Sequence, residues 1–187
     1  MTRYFIGLMV PTPVQDHLTA LAETIQASVS VDHPSTVSWN HPADLHCTLF
    51  FLGTQDDEHL LIDSMTDVAT LLAPVTLTAA GATHWLGRNS LAVPVTGAER
   101  LGTMFIDRMG ELSSDHRARW RPFHGHVTLG RVRPVPRAAD DVFGGHELEA
   151  IIWQARQVQL VKGTSGPGER RYQVVAEALL GGIAPDD

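Results

Sequence analysis

The chain has 187 residues, 43% of them apolar and 19% charged, which excludes a disordered polyelectrolyte and leaves enough length to bury a core. Its 14 basic residues against 21 acidic ones give a net charge of −7, which excludes a general nucleic-acid coat. A single cysteine, Cys47, excludes an internal disulfide and a cysteine-built zinc centre.

Residues 3–10 (RYFIGLMV) read as a buried strand. Thr12-Pro13-Val14-Gln15 reads as a helix start, with Thr12 as cap, Pro13 in the first turn and Gln15 closing a capping box. Val14, Leu18, Leu21, Ala22 and Ile25 follow at helical spacing. Residues 36–40 and 45–52 predict strands, the second ended by Gly53. Thr54 opens a helix predicted over 56–73, with Leu60, Leu61, Met65, Val68, Leu71 and Leu72 on its inner side and Pro74 as its stop. Residues 75–83 and 90–96 alternate as strands about a turn at Gly87-Arg88-Asn89. A third helix is predicted over 98–114, with Leu101, Phe105, Met109 and Leu112 as its stripe, then a strand over 124–132 and a loop over 134–149. Two last strands, about 150–162 and 170–180, flank a turn rich in glycine at 163–168.

This order is not a strict strand–helix alternation, so a doubly wound parallel sheet is not expected. The pattern predicts an α+β fold with antiparallel sheets and helices on their outer faces. Strand–helix–strand–strand occurs twice, which points to two similar lobes within one domain over residues 1–187. No apolar run reaches a membrane span and the N-terminus lacks the shape of a signal peptide, so a cytoplasmic protein is expected.

Charge is unevenly distributed. Lys162 is the only lysine, and Arg117, Arg119, Arg121, Arg131, Arg133 and Arg137 fall in a stretch free of Asp and Glu. Such a run is either a solvated face or a site for a small phosphate-bearing ligand, which arginine forks suit.

The chemistry is carried by two matching words, His46-Cys47-Thr48-Leu49 and His126-Val127-Thr128-Leu129. With 10 histidines in the chain, His-x-Thr is expected by chance about 0.9 times, and the version followed by Leu about 0.09 times. A third His-x-Thr, His17-Leu18-Thr19, lies on a predicted helix, where residues two apart point about 200° apart and cannot converge. On a strand, residues two apart share a face. His46 and Thr48 therefore share one, as do His126 and Thr128, with Cys47, Leu49, Phe51, Val127 and Leu129 left for the core. Two imidazoles can flank a phosphorus atom as base and acid, and two hydroxyls can donate to its non-bridging oxygens. This chemistry needs no metal and no cofactor. The bland alternative is that each histidine is an ordinary half-buried strand residue.

RYFIGLMVP, VSWNHPADLHCTLFFLG, WRPFHGHVTLGRV and VQLVKGTSGPGERRYQVVAEALL together resemble the RNA 2',3'-cyclic phosphodiesterases, the LigT-like or 2'-5' RNA ligase-like branch of the two-histidine phosphoesterases. The resemblance implies a bilobal fold with the cleft between the lobes. It implies hydrolysis of 2',3'-cyclic phosphate ends to 2'-phosphomonoesters, with His46 as proton donor, His126 as proton acceptor, and Thr48 and Thr128 holding the phosphate. The reverse reaction would be 2'-5' RNA ligation. Gly125 stands where the family has Pro, which is expected to loosen the start of the second motif strand.

Arg131 matches the family's arginine after the second motif, but strict alternation points it away from His126 unless the strand bulges. Phe123 and Trp39 are candidates for stacking on a base, against core packing for each. Tyr172 is a candidate to reach the cleft from the last hairpin, and Phe5 reads as core. His124 shares parity with His126, and the two with His46 could mimic a three-histidine metal site, a reading that leaves both threonines unexplained. The expected partners are RNA 3' ends or small nucleotides bearing a 2',3'-cyclic phosphate, with no metal, no membrane and a monomeric protein. The alternatives are a 2'-5' phosphodiesterase, an ADP-ribose cyclic phosphodiesterase, a tRNA-half ligase, and a non-catalytic module that binds RNA ends.

Overall fold

The computed structural model describes residues 2–115, 120, 122–137, 141–164 and 170–182. Arg117, Arg119 and Arg121 of the arginine-rich run, and residues 165–168 of the closing turn, lie outside the described residues.

Among the described residues, ten strands and three α-helices follow one another as β1 (Thr2–Met9), α1 (Thr12–Ser28), β2 (Thr36–Trp39), β3 (His46–Gln55), α2 (Glu58–Thr70), β4 (Val75–Ala82), β5 (His84–Leu86), β6 (Ser90–Thr96), α3 (Glu99–Met109), β7 (His126–Arg133), β8 (Glu147–Ala155), β9 (Gln157–Gly163) and β10 (Tyr172–Leu179). The strands run in the order β10-β9-β1-β3-β7-β6-β4-β8, with β2 added to β7 and β5 to β6. The described pairings are antiparallel, as expected for an α+β fold. The two halves, β10-β9-β1-β3 and β7-β6-β4-β8, join through one registered pair, Cys47 with Val127. Both side chains are fully buried there. The two expected sheets are thus one curled ladder, pinched where the two motifs meet.

The local reasons are ordinary. Tyr4, Phe5, Ile6 and Leu8 are buried on a strand covered on both faces. Val14, Leu18, Leu21 and Ile25 give α1 its buried stripe. α3 leaves β6 in one half and packs on β3 in the other, while α1 leaves β1 and reaches β8. The helices therefore interlock the halves. Among the described residues no helix is long and apolar enough to cross a membrane.

Several expected boundaries differ. Thr12 already lies in α1, with Pro11 in the capping position and no side-chain cap; Gln15 donates instead to the Val10 carbonyl at 2.6 Å. β3 does not stop at Gly53. That glycine takes φ +74°, a left-handed conformation open to it at low cost, and the strand continues paired with β1 to Gln55. The cap of α2 is then Asp57, whose carboxylate accepts from the Leu60 amide at 3.0 Å. Leu60, beside the buried stripe of Leu61, Met65 and Val68, and Leu71, just past the helix end at Thr70, are exposed instead of inward. α3 ends at Met109 and a short 3₁₀ turn takes over the predicted remainder. The long strand predicted over 150–162 is two strands broken at Arg156: β8 pairs with β4, and β9 pairs with β1 and β10. One apolar run thus serves both halves.

Candidate functional site

β3 and β7 carry the two motifs, and their first seven positions have the same exposure pattern. The pair Cys47–Val127 fixes their register. In an antiparallel ladder that register sets His46 beside Thr128 and Thr48 beside His126. The two histidines then lie on one diagonal of a small square and the two threonines on the other, at a diagonal spacing of about 7–8 Å. All four are half-buried, on the face opposite Cys47 and Val127.

Each imidazole is aimed in the same way. Nδ1–H of His46 donates to the Asp44 carbonyl at 2.7 Å, and Nδ1–H of His126 donates to the His124 carbonyl at 2.8 Å. A carbonyl only accepts, so Nδ1 carries the proton in both rings and Nε2 is left for chemistry. Phe5 stacks on His46 with centroids 4.5 Å apart and planes at 25°, and Tyr172 meets the same ring edge-on at 5.0 Å. Burial holds His46 below the usual imidazole value, and the charge of His126 pushes the same way against the pull of the Asp44 carbonyl. Burial also lowers His126, opposed by the His124 carbonyl.

Both strands bulge at the leucine of the motif. β3 skips Leu49 in its register with β1, and β7 skips Leu129 in its register with β6. A bulge reverses the alternation beyond it. Arg131 consequently returns to the face of His126 and Thr128, against the strict-alternation expectation. Phe51, its counterpart five residues after His46, does the same on β3 and is 37% exposed.

Two chambers flank the square. A cavity of about 570 Å³ includes Thr48, Phe51, Phe123, His124 and His126 in its wall. A second, of about 310 Å³, is lined by Thr36, Ser38, Arg131, Arg133, Arg171 and Tyr172. His46, Thr48, His126, Thr128, Arg131, Phe123 and Tyr172 thus gather around the cleft. Trp39 does not. On β2, Thr36 and Ser38 face the second chamber while Trp39 faces the other way, in an apolar cavity against α1, with its indole N–H donated to Gln26 at 3.0 Å. The expectation that Trp39 stacks on a base is corrected by that parity.

Sequence reasoning missed Asp44 and Arg171, and its expectation that Phe51 fills the core is corrected by the bulge at Leu49, which turns that ring to the cleft; Arg133, named only within the arginine-rich run, lines the second chamber. Phe51 could have been found from its offset, which matches that of Arg131. Asp44 has no exposed surface; its carboxylate accepts from Arg170 Nε and from the Arg171 backbone amide, both at 2.6 Å. Gly125 also differs from expectation. A Cβ there would fall 2.2 Å from the Val95 carbonyl oxygen, so the strand start is tight, not loose. Gly125→Ala is expected to lower stability by about 1–3 kcal/mol and to lower turnover with it, since His126 is the next residue. Urea unfolding and kcat of the variant check this. Burial pushes the Cys47 thiol up to about 11, which leaves it a packing group beside the motif. Among the described residues no three His, Cys, Asp or Glu side chains form a metal-holding group.

No family model matches the chain. In fold it is similar to TT0787 of Thermus thermophilus, with a TM-score of 0.73 and 24% identity over 97% of this chain and 100% of that one. It is also similar to E. coli LigT complexed with NADP+, with a TM-score of 0.68 and 19% identity over 96% and 98% of the two chains. A curated relative, an RNA 2',3'-cyclic phosphodiesterase of Bacillus subtilis (strain 168), is 26% identical over 136 residues, covering 68% of this chain and 70% of its own. The chain has the LigT fold. The paired motif strands, the bulges behind them and the chambers beside them are the form this LigT-like cleft takes here.

Proposed function

We propose that the protein is an RNA 2',3'-cyclic phosphodiesterase that opens the cyclic phosphate to a 2'-phosphomonoester. The observation that carries the reading is the meeting of two His-x-Thr-Leu strands at Cys47–Val127, with both Nδ1 atoms committed to carbonyls and neither Nε2 atom hydrogen-bonded among the described residues. The Bacillus relative named for this activity supports it.

The geometry suits an in-line displacement. Neutral His126 accepts a proton from water at Nε2 as the water oxygen bonds to phosphorus. The bond from phosphorus to O3' breaks on the opposite side, and His46, starting as the imidazolium, gives its Nε2 proton to O3'. The products are a 2'-phosphate and a 3'-hydroxyl. The hydroxyls of Thr48 and Thr128 donate to the non-bridging oxygens, where charge builds in the transition state. Proton exchange with solvent resets the pair. The same groups run in reverse would join a 2',3'-cyclic phosphate to a 5'-hydroxyl.

The test is incubation with adenosine 2',3'-cyclic phosphate in excess EDTA, with products separated by chromatography. Formation of the 2'-monophosphate is the expected result. Formation of the 3'-monophosphate would reject the assigned leaving group, and tight binding without turnover would leave a binding module.

The pH dependence follows from the shifts. Mutual repulsion disfavours the doubly protonated pair, and the active form carries one proton between the two rings. Both rings titrate below the ordinary value of about 6.5, so kcat/KM should be a bell with both limbs on the acid side of that value. A lowered histidine means the unfolded chain binds the proton first. The stability contribution of the pair is thus full above about pH 6.5 and falls as the pH drops through the folded values. Rate profiles and unfolding midpoints across pH 4–8 check both; an alkaline limb above about pH 7.5 would count against His46 as the acid.

A further inference from the structure

The chamber beside His46 is cationic and uncompensated. Arg131 and Arg133 reach it from β7, Thr36 and Ser38 face them from β2, and Arg171 and Tyr172 enter from the start of β10. Arg171 is held in place by Nη1 on Asn40 Oδ1 at 3.1 Å and Nη2 on Ser38 Oγ at 2.5 Å. Both acceptors are neutral, so its orientation is fixed while its charge is not cancelled. Among the described residues the ion pairs are Arg170–Asp44 and Lys162–Glu58; the Arg171 main-chain amide donates to Asp44, but none of the three chamber guanidinium groups is paired with a carboxylate there. A merely solvated arginine face would not need a guanidinium tied down by two side chains inside a cavity.

Its position says what it would meet. In the proposed reaction the departing O3' goes to His46, and O3' stays on the ribose, so the nucleoside lies on the His46 side. Tyr172 touches the His46 ring and also lines this chamber. In an RNA chain the next phosphate along from that ribose is on its 5' carbon. We propose that the Arg131–Arg133–Arg171 chamber is a second phosphate subsite that holds the 5' phosphate of the nucleotide whose cyclic phosphate is opened. The protein then selects chain ends and 5'-phosphorylated nucleotides over free nucleoside cyclic phosphates. This rests on the cyclic phosphodiesterase reading above.

The test compares kcat/KM for adenosine 2',3'-cyclic phosphate with that for the same molecule carrying a 5'-monophosphate, in the wild type and in Arg133→Gln. A charge-assisted hydrogen bond to the added group predicts a wild-type preference of about 10- to 100-fold for the 5'-phosphorylated substrate. Arg133→Gln should reduce that ratio about tenfold, and because the readout is a ratio, general damage to the variant cancels. A wild-type ratio near one, with both substrates turned over, overturns the subsite and leaves the activity standing. If neither substrate is turned over, the activity fails, and binding of adenosine 5'-monophosphate against adenosine reads the chamber alone. Tighter binding of the monophosphate that is lost in Arg133→Gln then supports the subsite, and equal affinities overturn it.

Discussion

Replacing His126 with Ala is expected to lower kcat on adenosine 2',3'-cyclic phosphate by about 10²- to 10⁴-fold, and replacing His46 with Ala to do the same. Neither change should unfold the protein. Both rings are only half-buried, on the open face of strands whose other face carries Cys47, Leu49, Val127 and Leu129. KM should move little in comparison, because the threonines and the cationic chamber remain. The double variant should be no worse than about the poorer single one, since the two rings serve one displacement and lose it together. The pH profile adds a check that a structural role would not satisfy: His126→Ala should lose the acid limb of the bell, and His46→Ala the alkaline limb. Full activity in either variant would remove the proposed mechanism.

Asp44→Ala is expected to be the most damaging change outside the square of two histidines and two threonines. The side chain has no exposed surface and accepts from Arg170 Nε and the Arg171 amide, each at 2.6 Å. Two charge-assisted bonds to a buried carboxylate contribute about 2–4 kcal/mol after desolvation is set against them. The lower part of that range is favoured by Arg170, whose side chain is 47% exposed and returns to water when Asp44 is lost. The Arg171 amide has no such escape. Activity should fall as well, by about tenfold, because the carbonyl of Asp44 aims His46 and because Arg171 hangs from the same corner. Asp44→Asn keeps one acceptor and should lie between wild type and Ala in both melting midpoint and kcat. A midpoint and kcat both unchanged in Asp44→Ala would show that the clamp contributes nothing.

The two predictions differ in how visible they were in the chain. The histidines announce themselves, because the word His-x-Thr-Leu occurs twice and two-residue spacing on a strand converts directly into a shared face. Asp44 gives no such sign. Its partners are 126 and 127 residues away, at the far end of the chain, and nothing local distinguishes it from any acidic residue before a strand. Arg171 is equally silent, since its role depends on β10 arriving beside β2. Trp39 looks like a base-stacking residue by type, yet the pairing of β2 with β7 turns it to the back of the sheet. The break at Arg156 was hidden for a related reason: a continuous apolar run reads the same whether it serves one sheet edge or two.

The sequence by itself determined which side chains share a face within each motif strand, His46 with Thr48 and His126 with Thr128, that Cys47, Leu49, Val127 and Leu129 face the core, and that antiparallel strands carry them. It could do so because side-chain alternation is a property of the strand's own backbone. Register, by contrast, belongs to pairs of strands. The bulges at Leu49 and Leu129, which turn Phe51 and Arg131 back into the cleft, exist only relative to β1 and β6. The same holds for the junction at Cys47–Val127 and for the clamp on Asp44. These were decided by the tertiary structure, because hydrogen bonding between distant segments, and not local periodicity, sets which residue stands opposite which.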